Sequence, residues 1–320
     1  MIIIFFKSSF EKNKIIYDEY LKSRYITSSE TFDTTYASYK SNMKQFFEWL
    51  KNSEYDYYIL SKKFIKKIVI IMEDYIAYCK ARNNNKHTIN NKIVALSSFF
   101  IWASRRDLIE YNPMREKIEK MKNPRADMRR KNYFLTDEQI EDIYKKMEEQ
   151  NFKVRDKLLF SIFLDTGARI GAIHNLKIEQ IDFEDKTIYK VREKMGYIVD
   201  LFFFEKTEKY LKEYLSQRKD DNKYLFVAKY KGTINQMDRG TIRDVIRKIG
   251  TLIGIKDLYP HSLRKTSIDR VYKKSNNIEL ASEHANHHST SMTKNHYIEA
   301  KKSSKKRQEI EKILGGQIYV

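Results

Sequence analysis

Between Thr31 and Leu50 the apolar residues Tyr36, Tyr39, Met43, Phe46, Phe47 and Leu50 return every three or four positions. That spacing draws one stripe along an α-helix and is incompatible with the two-residue alternation of a strand. The segment is therefore bound to fold as a helix with one face in a core. Similar periodicity runs through Phe64, Val69, Met72, Ile76 and Tyr78. After the polar turn Asn83-Asn84-Asn85, Thr88 is placed to cap a helix carrying Ile93, Leu96, Phe99, Phe100 and Trp102, with Asn112-Pro113 as its stop. Residues 10–113 read as a helical bundle with short connections.

A chain of 320 residues exceeds the usual single-domain size, so two domains are expected. The periodicity fades between Met114 and Lys131, where Arg115, Lys117, Lys120, Lys122, Arg125, Arg129, Arg130 and Lys131 surround Asn123-Pro124. This stretch, residues 114–133, reads as a basic interdomain linker. The second domain, 134–320, opens with Thr136 and Gln139 spaced for a capping box. An apolar helix from Lys157 to Leu164 ends at Thr166-Gly167. The β-rich runs Thr187–Val191 and Tyr197–Leu201 flank Glu193-Lys194-Met195-Gly196 and predict a hairpin. Beyond Lys206 the pattern reads as helical, with loops near Lys231-Gly232 and Tyr259-Pro260. The fold class is mainly α with a small antiparallel β-sheet.

Charge narrows the function. Sixty-two Lys and Arg face 43 Asp and Glu, leaving a net charge of +19, the footprint of a polyanion binder. Double-stranded DNA is the expected partner, with Lys122, Arg125, Arg129, Arg130 and Lys131 of the linker as phosphate contacts and Lys86 and Lys92 as further candidates. The single cysteine, Cys79, excludes an intramolecular disulfide and predicts a reducing, cytoplasmic home, associated with the nucleoid. The apolar opening Met1–Phe6 lacks a basic leader and is too short to span a bilayer, so it reads as a packed or subunit-contacting segment.

The last third carries the chemistry. Pro260-His261-Ser262-Leu263-Arg264-Lys265-Thr266 is followed by Asn286-His287-His288-Ser289 and by His296-Tyr297. Attack on a phosphodiester by a side-chain hydroxyl needs a nucleophile, donors for the non-bridging oxygens, a proton acceptor and an acid for the leaving oxygen. Arginine suits the oxygens through its planar, permanently charged fork. A zinc reading of the His-rich run from His284 to His296 has no nearby cysteine and no ligand set at an established spacing.

Thr166-Gly167-Ala168-Arg169-Ile170 resembles the first arginine box of the tyrosine recombinases, the phage integrase family, and Lys194 resembles the lysine of that family's hairpin. His261-Ser262-Leu263-Arg264 is similar to its His-x-x-Arg box, His287-His288-Ser289 to its Gly-His-Ser segment, and Tyr297 to its nucleophile. Thr88–Ala103, closed by Asn112-Pro113, resembles its helical core-binding (SAM-like) domain, here residues 1–113. The resemblance implies a two-domain C-shaped DNA clamp. In it Tyr297 forms a 3′-phosphotyrosine, Arg169, Arg264 and His288 hold the phosphate, Lys194 protonates the 5′ oxygen, and His261 assists at the tyrosine. It further implies that no metal or other cofactor is needed, that four protomers assemble on two sites, and that DNA-bending accessory proteins can take part. The tail from Lys305 to Leu314 reads as a helix docking on a neighbouring protomer. Two departures stand out: Ala172 occupies the position, three after the first arginine, that is usually acidic, and His287 replaces the usual glycine. His288 fits the spacing to Tyr297, with His287 as the alternative. A DNA-binding regulator, such as a prophage repressor that has lost strand exchange, is the other reading; a topoisomerase that nicks and reseals is a third.

Overall fold

The computed structural model describes residues 8–27, 32–122, 133–193 and 196–286. By internal contacts the chain separates into two compact units, Met1–Arg130 and Lys131–Val320.

The first unit is helical: α1 (Ser9–Thr27), a π-helical turn (Phe32–Tyr36), α2 (Ala37–Lys51), the short α3 (Lys62–Lys66), α4 (Ile68–Ala81) and α5 (Lys86–Ser104). Met43, Phe46, Phe47 and Leu50 of α2 are buried against Tyr17 and Tyr20 of α1 and Phe99, Phe100 and Trp102 of α5. The rings of Tyr20 and Phe99 meet edge to face at 5.8 Å, a favourable quadrupolar arrangement. Asn13, buried on α1, holds the connection between α2 and α3 by donating to the Tyr57 carbonyl and accepting from the Ile59 amide.

Three local expectations need correction in this unit. The buried face of α4 is Ile68, Ile71, Met72, Tyr75 and Cys79, whereas Val69 and Tyr78 are exposed. The run Ile68–Met72 is apolar on every side, so spacing alone does not select the inner face. The cap of α5 is Asn85, whose side chain accepts from the Thr88 amide at 2.8 Å; Thr88 lies inside the first turn. Helix α5 also ends at Ser104, well before Asn112-Pro113. There the Leu108 amide donates to the Ala103 carbonyl and Asp107 adopts a left-handed conformation with φ +56°.

The start of the expected linker belongs to this unit. Met114 is buried in its core, Ile118 and Met121 pack on it, and Asn90 exchanges two hydrogen bonds with the backbone of Met121. Linker residues 123–132 lie outside the described residues, as do Met1–Phe6 and everything after Asn286.

The second unit contains α6 (Asp137–Glu149), α7 (Val154–Thr166), α8 (Ile170–Asn175), α9 (Glu205–Gln217), α10 (Arg239–Thr251), α11 (Pro260–Ser275) and α12 (Ile278–His284). Thr136 and Gln139 form the expected capping box at the start of α6. Every residue from Leu158 to Leu164 is buried, which makes α7 the central rod of the unit. Strands β1 (Ile181–Asp182), β2 (Thr187–Arg192) and β3 (Ile198–Phe202) form an antiparallel sheet in that order. The expected hairpin joins β2 to β3. A second hairpin, β4 (Val227–Tyr230) with β5 (Thr233–Gln236), occupies a region read from sequence as helical. Its two-residue turn places Lys231 and Gly232 at φ +46° and +85°, the conformation that matches the twist of paired strands. The chain is thus mainly α with small antiparallel sheets. No helix among the described residues is long and apolar enough to cross a membrane.

Candidate active site

Helix α7 ends where Gly167 takes φ +56°, a conformation glycine adopts without steric cost. The Thr166 hydroxyl secures the turn by accepting from the Ala168 amide and donating to the Ile162 carbonyl. The chain then re-enters a helix with Arg169 at the N-cap of α8, its side chain 32% exposed.

Helix α11 begins with Pro260 in its first turn, where a missing amide hydrogen costs nothing. His261 in that turn is exposed, its ring stacked beside Tyr259. Arg264, one turn further, is 1% exposed. Its Nη1 donates to the Gly167 carbonyl at 2.5 Å and its Nη2 to the Ala285 carbonyl at 2.6 Å. One guanidinium therefore ties together the end of α7, helix α11 and the end of α12.

Between the two arginines stands Glu193, the residue that follows β2. Its amide donates to the Tyr197 carbonyl at 2.7 Å across the hairpin. Its side chain is 2% exposed; Oε2 pairs with Arg169 Nη1, and Oε1 lies 3.9 Å from Arg264 Nη1. A buried carboxylate is costly unless paired, and here two guanidinium groups supply the countercharge.

Against the same corner packs His284, with Nε2 2.7 Å from the Ser267 hydroxyl. Burial first, and the Arg264 charge second, push this imidazole down to about 4, so it is neutral at pH 7. A Cβ on Gly167 would lie 3.1 Å from His284 Nε2. Ala172 is buried in the core of the unit and supplies no acidic group.

Of the sequence-derived catalytic set, the fold brings Arg169 and Arg264 together through Glu193 and sets His261 one turn before Arg264. Lys194, His288 and Tyr297 lie outside the described residues, as do His287, Arg125, Arg129, Arg130 and Lys131. Lys122 is exposed and Lys86 half-buried. Lys92 is not a surface cation: it is buried, with Nζ 3.0 Å from Gln45 Oε1, 3.6 Å from Cys79 Sγ and 5.7 Å from the centre of the Tyr75 ring. This correction removes it from the candidate DNA contacts. Sequence reading missed Glu193; a glutamate next to Lys194, in a chain with alanine rather than an acid at position 172, was the available signal. It also left His284 without a place beside Arg264.

A family model described as the phage integrase family matches residues 133–304. The tyrosine recombinase XerA of Pyrococcus horikoshii is 28% identical over 250 residues, 76% of this chain and 81% of the relative. XerC of Staphylococcus epidermidis is 23% identical over 236 residues, 70% of this chain and 77% of the relative. In fold the chain is similar to the XerH site-specific recombinase in a post-cleavage complex with palindromic difH substrate, with TM-score 0.66 and 18% identity over 88% of this chain and 80% of that one. The family match covers more than half of the sequence, and the chain belongs to the phage integrase family of tyrosine recombinases.

Proposed function

We propose that this protein is a site-specific tyrosine recombinase that cuts and rejoins duplex DNA through a 3′-phosphotyrosine intermediate. The observation that carries this reading is the convergence of Arg169 and Arg264, from separate helices, on one buried carboxylate within the family-matched region. Two guanidinium groups in one corner form a receptor for the non-bridging oxygens of a phosphodiester, and their charge offsets the negative charge that builds as phosphorus becomes five-coordinate.

In this reading the Tyr297 oxygen attacks phosphorus while the bond to the 5′ oxygen breaks. Lys194 gives that oxygen a proton, His261 assists removal of the phenolic proton, and His288 donates to a non-bridging oxygen. The phosphotyrosine conserves the bond energy, so a 5′-hydroxyl of a second strand reverses the step and completes the exchange. Lys122, Lys86 and the basic residues from Arg125 to Lys131 contact the duplex backbone, and protomers assemble as a tetramer on paired sites. The protein works in the cytoplasm, at the nucleoid.

The test uses a duplex selected by the protein from a random-sequence pool and nicked next to the cleaved phosphate, so that the covalent complex cannot religate. Wild-type protein yields a denaturant-resistant adduct and Tyr297→Phe yields none. Tight binding of the selected duplex with no wild-type adduct overturns the proposal.

A further inference from the structure

Helix α8 presents Ala172, not a carboxylate, one turn after Arg169, and this residue is packed in the hydrophobic core. Without an anion between them the buried Arg264 and the half-buried Arg169 would repel, and Arg169, which lacks the carbonyl anchors of Arg264, would be free to adopt other rotamers. The hairpin supplies what the helix lacks. Glu193 is enclosed, pairs through Oε2 with Arg169, and turns Oε1 towards Arg264.

We infer that Glu193 is the positioning residue that sets Arg169 relative to the anchored Arg264, an acidic role moved from helix α8 to the hairpin that carries Lys194. This inference rests on the recombinase reading above. Three features favour positioning over simple charge neutralisation. Arg264 is already oriented by the Gly167 and Ala285 carbonyls, so its place does not depend on Glu193 alone. Arg169 is the more exposed of the two, with its Nη1 held by Glu193, so the carboxylate fixes the direction in which its remaining donors point. Finally, the Glu193 amide closes the hairpin onto Tyr197, so the backbone that sets the carboxylate is the backbone that leads into Lys194. Charge and hydrogen-bond geometry at Arg169 are thereby coupled to the hairpin.

The consequence is specific to the chemical step. Removing the charge while keeping the shape leaves Arg264 anchored and both arginines charged to attract DNA, but Arg169 is no longer fixed relative to Arg264. Cleavage should therefore fall much further than binding.

The experiment compares wild type, Glu193→Gln and Glu193→Asp on the same nicked, pool-selected duplex, measuring adduct formation, duplex affinity and the melting transition. Glu193→Gln is expected to bind the duplex within about threefold of wild type and form adduct about 100-fold more slowly, the range for loss of an oriented polar group in an active site. Glu193→Asp, which keeps the charge, is expected to recover at least about tenfold of that loss. Equal loss in both variants, or a Glu193→Gln variant as fast as wild type, overturns the inference. Should Glu193→Gln fail to melt cooperatively, Glu193→Asp decides: adduct formation within about tenfold of wild type supports the inference, and a loss of about 100-fold in a cooperatively melting Glu193→Asp overturns it. A wild-type protein that forms no adduct sinks the recombinase reading instead, so the two failures are told apart within one assay.

Discussion

The Ser267 hydroxyl of α11 and the His284 Nε2 of α12 lie 2.7 Å apart, and this contact seals the corner in which Arg264 is buried. An uncharged imidazole accepts or donates there without adding a positive charge beside the guanidinium. A protonated ring would do so.

That relationship predicts an acid-sensitive stability. The folded-state value for His284 is lowered from about 6.5 to about 4. Between those values the unfolded chain takes up a proton that the folded chain refuses, so stability is full above pH 6.5 and declines as pH falls towards 4. The expected loss is about 2 kcal/mol across this window, allowing for partial exposure of the ring. Chemical denaturation at pH 7 and pH 4.5 measures it, and His284→Gln should flatten the difference. A difference unchanged in that variant assigns the acid sensitivity elsewhere.

Gly167 is the second point of sensitivity. Its φ of +56° disfavours any side chain, and an added methyl would sit 3.1 Å from His284 Nε2 and 3.3 Å from the Ser267 hydroxyl. Gly167→Ala should cost about 1–2 kcal/mol in stability. Because the Gly167 carbonyl receives Arg264, adduct formation should slow even below the melting temperature. Thermal melts and single-turnover cleavage with the variant check both parts; a variant that melts and cleaves like wild type refutes the account.

The lysines of the first unit should divide by burial. Lys122→Ala and Lys86→Ala should each weaken DNA binding and lower the dependence of log affinity on log salt by about one. Lys92→Met should leave that slope unchanged, since its ammonium is spent on Gln45, Cys79 and the Tyr75 ring. Fluorescence titrations across a salt series give the slopes directly. A reduced slope for Lys92→Met would return that residue to the DNA surface.

What could be read from sequence was what depends on nearby residues. The capping box of Thr136 and Gln139, the stop at Gly167 and the β2–β3 hairpin each follow from local spacing and backbone preference. Where local pattern was degenerate, reading erred: the apolar run Ile68–Met72 hides which side of α4 faces inward, and Lys231-Gly232 gave a loop without revealing the strands beside it. Lys92 was misread because a lysine within a helix looks the same in sequence whether its stem lies over the surface or its ammonium is drawn inside. The two arginine boxes were recognisable as motifs, but their meeting on Glu193 depends on tertiary packing between residues distant in the chain.

Arg264 grips the chain by its main-chain oxygens, at Gly167 and at Ala285. Peptide carbonyls are present whatever side chain a codon specifies, so mutation can rewrite the neighbourhood without erasing the anchor points. An arrangement of that kind allows the surrounding acids and histidines to change while the guanidinium itself stays in register.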